Sequence, residues 1–154
     1  MGRFALLAPL VFAAHVLEEA PGFVAWFADL VPPGLSPSEF AAANAIAGLV
    51  TVVLALAVFA VPRALPATLL VAWLAFLMAA NAVFHLAATL VYRRYCPGVI
   101  TASALYLPYF GGFLFLVIRR LRVPGRVVLA AGLLGALPML VHGYLVVFAG
   151  SRLF

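Results

Sequence analysis

Apolar positions in this chain run on without the polar alternation of a half-buried strand or the one-sided stripe of a soluble helix. Five stretches, near 4–27, 40–61, 65–92, 98–118 and 126–149, are long enough to cross a hydrocarbon core of about 30 Å as helices. Val50-Thr51-Val52-Val53-Leu54-Ala55 in the second and Val127-Val128-Leu129-Ala130 in the fifth are typical. Proline and glycine punctuate between them, at Val31-Pro32-Pro33-Gly34, Val61-Pro62-Arg63, Cys96-Pro97-Gly98 and Val123-Pro124-Gly125. Ser36 or Ser38 is placed to cap the second helix. The pattern predicts an all-α, polytopic membrane bundle of about five transmembrane helices, with 1–154 as one domain. Outer-membrane barrel strands would alternate in polarity, and these stretches do not. Small residues four apart, such as Ala43 and Ala47, suit close helix approach.

Composition sharpens this. Of 154 residues, 68% are hydrophobic and 8% charged, where soluble domains carry about 25% charged residues. Mean hydropathy is +1.26. The nine basic residues are all arginine and the formal net charge is +5, a balance that in a soluble protein would suggest nucleic acid. Here the arginines stand at the ends of apolar runs, as topology signals, and no nucleic-acid partner is expected. Arg3, Arg63, Arg119, Arg120, Arg122 and Arg126 gather on one side, and Arg93, Arg94 and Arg152 on the other. That excess predicts an N-in, C-out bundle, with Asp29 and Glu39 by the first outer loop. Trp26, Tyr92, Tyr95 and Phe154 fall near segment ends, where aromatic residues anchor. A single cysteine, Cys96, excludes an intramolecular disulfide. Arg3 and the apolar run after it imitate a signal peptide, but cleavage there would discard the chain's most unusual polar residues. A retained first span is expected.

Those residues are His15-Val16-Leu17-Glu18-Glu19. The chain has three histidines and four acidic residues, and three of the seven lie within this turn of an apolar segment. An ionisable group near the bilayer centre costs about 2.5–3.5 kcal/mol on insertion scales, so the cluster points to a polar intramembrane site. On a helix, Glu18 and Glu19 stand i+3 and i+4 from His15, on one broad face. Asn81, His85 and Thr89 repeat the theme at i, i+4, i+8 in the third segment. The fifth carries His142, four residues after Pro138, whose missing N–H frees the Leu134 carbonyl near the expected site. The fourth offers Ser103 and Tyr106, expected mainly to pack and bond locally. Counted at 1.5 Å per residue, His15 lies at a depth of about 16 Å, Glu19 and Asn81 at about 22 Å, and His142 at about 24 Å. His85 follows at about 28 Å, and Tyr106 at about 18 Å. They fall in the outer half of the bilayer, within reach of one cavity.

Several chemistries fit. His15, His85 and His142 with Glu18 or Glu19 would make a ligand set for zinc or non-haem iron, with Glu19 as the carboxylate and Asn81 in support. A divalent metal is the cofactor such a set would take. Without a metal, Glu18, Glu19, His15, His85 and Asn81 are the candidate catalytic groups, one glutamate acting as base and a histidine as its acid partner. The same residues would serve a proton or ion relay in a transporter, or simply hold helices together in a non-catalytic subunit. No Ser-His-Asp order, P-loop or dinucleotide glycine pattern occurs, and Gly111-Gly112 reads as packing.

Three elements together, His15-x-x-Glu18-Glu19, Asn81-x-x-x-His85 and Tyr95-Cys96-Pro97-Gly98, resemble the HXXEE-domain family of small bacterial membrane proteins. The resemblance implies a multi-pass protein of the bacterial cytoplasmic membrane with a shared polar site, and no particular reaction. CAAX-type intramembrane proteases offer only an analogy. Their glutamate pair is followed by an arginine, where this chain has Ala20-Pro21-Gly22-Phe23, and Asn81 stands where they carry phenylalanine. The leading expectation is a small membrane-embedded enzyme acting on an apolar or lipid-like small molecule, with the lipid bilayer as its partner.

Overall fold

A computed structural model describes residues 1–153, and every regular element among them is helical. In chain order these are α1 (Gly2–Ala5), α2 (Ala8–Glu19), α3 (Phe23–Ala28), α4 (Pro37–Ala60), α5 (Ala64–Tyr92), α6 (Val99–Leu121) and α7 (Gly125–Ala149). The last four, of 24, 29, 23 and 25 residues, are long and apolar enough to cross a membrane. Their outward faces carry large apolar side chains, among them Leu49, Leu69, Leu90, Phe115, Leu133 and Leu134, all exposed. Water would penalise such a surface and a lipid bilayer does not.

The first expected span is the one that departs. It is broken into α1, α2 and α3, none long enough to cross alone. Pro21 has no N–H to continue α2, and Gly22 stands at the start of α3, so the chain turns after Glu19. Pro9 sits in the first turn of α2, where its missing N–H costs nothing. The broken segment still runs antiparallel beside α4. Gly2 lies against Phe59, Phe12 against Gly48, and the Phe23 ring 5.9 Å from that of Phe40.

The long helices start and stop as their local chemistry dictates. Ser36 Oγ accepts from the Glu39 N–H at 3.2 Å while the Glu39 carboxylate accepts from the Ser36 N–H at 2.8 Å, a reciprocal capping box before Pro37. Between the two serines, Ser36 is therefore the cap. Helices α5 and α7 approach closely: a Cβ on Gly135 would fall 2.0 Å from the Ala72 carbonyl oxygen. Ala47 packs against the core, while Ala43 lines a cavity. Alternating helix direction brings Arg3, Arg63, Arg119, Arg120, Arg122 and Arg126 to one end of the bundle. Asp29 and Arg94 pair at 3.1 Å at the other, where Arg152 lies 3.7 Å from Glu39.

Two helices each contain a π-helical turn, Ala75–Ala80 in α5 and Ala102–Tyr106 in α6. One leads directly into Asn81 and the other directly follows Thr101. Such turns carry an extra residue in the helical ladder and commonly accompany functional sites.

Candidate functional site

Residues from α2, α5 and the Tyr95–Thr101 turn meet at one point. His15 and Glu19 lie on one face of α2, and His85 comes from α5, one turn after Asn81. Glu19 Oε1 stands 3.4 Å from His15 Nε2 and 3.1 Å from His85 Nε2. All three side chains are buried, with His85 fully shielded. Asn81 Nδ2 lies 3.2 Å from His15 Nε2.

The opposite ring nitrogens are held from behind. His15 Nδ1 lies 2.8 Å from Thr101 Oγ1, and the Thr101 hydroxyl donates in turn to Glu18 Oε2. With its hydrogen committed to Glu18, the hydroxyl can only accept from His15, which places the imidazole proton on Nδ1. His85 Nδ1 lies 3.2 Å from Cys96 Sγ, whose own hydrogen is directed at the Pro97 carbonyl. Both rings are thereby held as Nδ1–H tautomers, and both Nε2 lone pairs face Glu19.

Glu18 and Glu19, adjacent in sequence, do different work. Glu18 turns away from the cluster and accepts from the Ile100 N–H at 3.0 Å, the Thr101 N–H at 2.7 Å and the Tyr95 hydroxyl at 2.6 Å, besides the Thr101 hydroxyl. It anchors the start of α6, where a carboxylate also meets the favourable end of the helix dipole. The bond donated to Glu18 pushes the Tyr95 hydroxyl up to about 12. Burial pushes the Cys96 thiol up, so it sits in the loop as a neutral group.

Gly98 closes the loop side. Its φ of +100° suits glycine, and a Cβ there would lie 2.7 Å from His85 Cε1, 2.8 Å from His15 Cε1 and 3.0 Å from Glu19 Cγ. On the other side the cluster faces a cavity of about 730 Å³. Its walls are largely apolar, including Phe12, Phe23, Phe40, Ile46, Phe76 and Met139, with Glu39 and Arg152 also on its border. The Tyr106 ring packs 4.2 Å from that of His15, and its buried hydroxyl has no partner among the described residues. Ser103 bonds locally to the Val99 carbonyl at 2.8 Å.

Not every expected residue joins the cluster. His142 borders the same cavity, but the group of converging donor atoms is His15, Glu19 and His85 alone among the described residues. His142 Nδ1 instead accepts from the Leu153 N–H at 3.3 Å. The rotation of α7 about its own axis, fixed by contacts such as Gly135 against Ala72, sets this, and it does not enter a depth count. Glu18 is likewise outside the converging set. Leu134 and Pro138 border a separate groove among α4, α5 and α7 that His15 does not line. Thr89 Oγ1 is buried without a partner among the described residues. Trp26, expected as an interfacial anchor, packs inside against Phe23, Phe84 and Tyr92, with the Arg94 guanidinium over its ring. Phe154 lies outside the described residues. Helical spacing does not mark Thr101, Cys96 or Gly98 as parts of the site, although Tyr95-Cys96-Pro97-Gly98 is distinctive as a sequence element.

Fold and site together define an all-helical protein with membrane-compatible helices built around a buried His/Glu cluster. The model of a family described as "Protein of unknown function with HXXEE motif" matches residues 6–111, more than two-thirds of the chain. The chain belongs to that HXXEE family. The matched stretch contains His15, Glu18, Glu19, Asn81, His85 and Gly98, while His142 lies beyond it. Comparisons with curated proteins and with solved structures return no match.

Proposed function

We propose that this protein is a small enzyme of the bacterial cytoplasmic membrane that acts on an apolar, lipid-like substrate. The observation that carries the reading is the placement of a Glu/His cluster against a largely apolar cavity of about 730 Å³. That volume lies within the range of small-molecule sites, which typically combine apolar walls with a few convergent polar groups. Glu19 is the group positioned to take a proton, His85 and His15 its partners, and the Asn81 amide a donor toward a substrate oxygen. The broken segment α1–α3 serves as a first crossing beside α4, giving five crossings, N-in and C-out. The six-arginine end faces the cytoplasm and the cavity lies toward the outer leaflet.

The test is lipid conversion. Protein reconstituted into liposomes of bacterial total polar lipid is incubated, and the lipids are compared by mass spectrometry with those from Glu19→Gln liposomes. At least one lipid species should be consumed by the wild type and spared by the variant. Identical lipid profiles would refute the enzyme reading. A second reading is a proton relay, favoured by the hydrogen-bonded chain from His15 through Thr101 and Glu18 to the exposed Tyr95. Proton flux into proteoliposomes that is abolished by Glu19→Gln would support it, and flux indifferent to that change would remove it.

A further inference from the structure

We propose that His15 Nε2, His85 Nε2 and Glu19 Oε1 bind one divalent transition-metal ion of the zinc or ferrous class, with its remaining coordination positions open to the cavity. The inference goes beyond the enzyme reading and stands on the donor atoms alone.

Spacing is the first support. An ion holding nitrogen and oxygen ligands at about 2.0–2.1 Å separates neighbouring donors by about 2.8–3.4 Å, from octahedral to tetrahedral geometry. Glu19 Oε1 lies 3.1 Å from one imidazole Nε2 and 3.4 Å from the other. The three donor atoms all fall within 4.8 Å of one another.

Proton accounting is the second. A hydrogen-bonded cluster needs a hydrogen between each close pair of electronegative atoms. Thr101 and Cys96 take the Nδ1 protons of the two rings, so neutral imidazoles present only lone pairs toward Glu19, itself an acceptor. His85 Nε2 is wholly buried and has no hydrogen-bond partner among the described residues, despite the carboxylate 3.1 Å away. A cation satisfies all three lone pairs at once. The His15 Nε2 lone pair accepts from Asn81 Nδ2 at 3.2 Å, a bond that the ion would replace.

The surroundings match what metal sites need. Each ligating imidazole is oriented by a partner on its far nitrogen, as second-sphere groups hold zinc-bound histidines. Gly98 walls off one side at van der Waals contact, and the cavity supplies an entry path. Two imidazoles with one carboxylate favour zinc or ferrous iron over calcium or magnesium, which prefer all-oxygen shells. Three protein ligands leave positions for water or substrate, the pattern of catalytic rather than structural zinc.

The experiment measures zinc and iron by elemental analysis on detergent-purified full-length protein prepared without chelator and reconstituted with each metal alone. The wild type and His142→Ala should carry about one ion per chain, and His85→Ala and Glu19→Gln less than about a tenth of one. A metal-free wild type after reconstitution, or full loading of both ligand variants, would overturn the site. Should the variants fail to fold, X-ray absorption on the loaded wild type decides. A shell of nitrogen and oxygen near 2.0–2.1 Å with imidazole scattering supports the assignment, and a sulfur shell or no imidazole signal defeats it. Metal binding without lipid conversion would leave the site standing and remove the enzyme reading. Lipid conversion by a protein that stays metal-free after reconstitution would do the reverse.

Discussion

Gly98→Ala is the sharpest single test of how the site is assembled, because one methyl group would meet all three converging side chains. The added Cβ would stand 2.7 Å from His85 Cε1, 2.8 Å from His15 Cε1 and 3.0 Å from Glu19 Cγ. Neither ring can swing aside freely, since Thr101 holds His15 and Cys96 holds His85. Overpacking of this kind costs about 1–3 kcal/mol. The backbone adds its own cost: at φ +100° an alanine is strained by about 1–3 kcal/mol more. The expected loss is therefore about 2–6 kcal/mol, a large share of the roughly 5–15 kcal/mol that holds a folded domain together. Gly111→Ala is the matched control, as a Cβ there meets nothing within 4 Å and the residue lies inside α6. Unfolding in detergent, followed by tryptophan fluorescence, should show a clear drop in midpoint for Gly98→Ala and little change for Gly111→Ala. Metal content should fall with the first and not the second. A Gly98→Ala protein as stable and as metal-loaded as the wild type would refute the packing argument.

Two further changes probe other parts of the architecture. Glu18→Ala removes the acceptor for two backbone N–H groups and two hydroxyls. It should destabilise the protein by about 1.5–3 kcal/mol, the worth of a hydrogen bond to a charged group, as read from denaturant midpoints. No loss would show that the start of α6 is held otherwise. Gly135→Val places a branched side chain where a Cβ already lies 2.0 Å from the Ala72 carbonyl oxygen. It should push α5 from α7 and lower the thermal midpoint at a cost of about 3 kcal/mol or more, and an unchanged midpoint would contradict that helix contact.

Much of this was legible from the sequence for identifiable reasons. Long apolar runs specify helices because lipid leaves no other way to satisfy the backbone, and four of the five expected segments are single helices of spanning length. Helical spacing put His15 beside Glu19 and Asn81 beside His85, since i,i+4 neighbours meet whatever the tertiary fold. What resisted reading depends on the chain's path between elements. Pro21-Gly22 breaks the first segment, although hydropathy treats it as continuous with its surroundings. Trp26 is buried because α3 folds inward, which no local pattern records. His142 belongs to a helix whose rotation about its own axis is set by contacts such as Gly135 against Ala72, and a depth count carries no information on that rotation.

The division of labour between Glu18 and Glu19 follows from helix geometry. Adjacent residues on a helix point about 100° apart, so two consecutive glutamates cannot serve the same pocket equally. Glu19, one full turn beyond His15, joins the imidazole at the cavity. Glu18 is rotated toward the Tyr95–Thr101 turn and engages the start of α6. The two are nevertheless coupled through Thr101, whose hydroxyl donates to Glu18 and accepts from His15. A single helical turn thus supplies one donor pair for the cluster and the brace that fixes the tautomer of its own histidine. Moving either glutamate by one position would lose one of these roles, which gives the spacing His-x-x-Glu-Glu a geometric reason independent of the reaction the site performs.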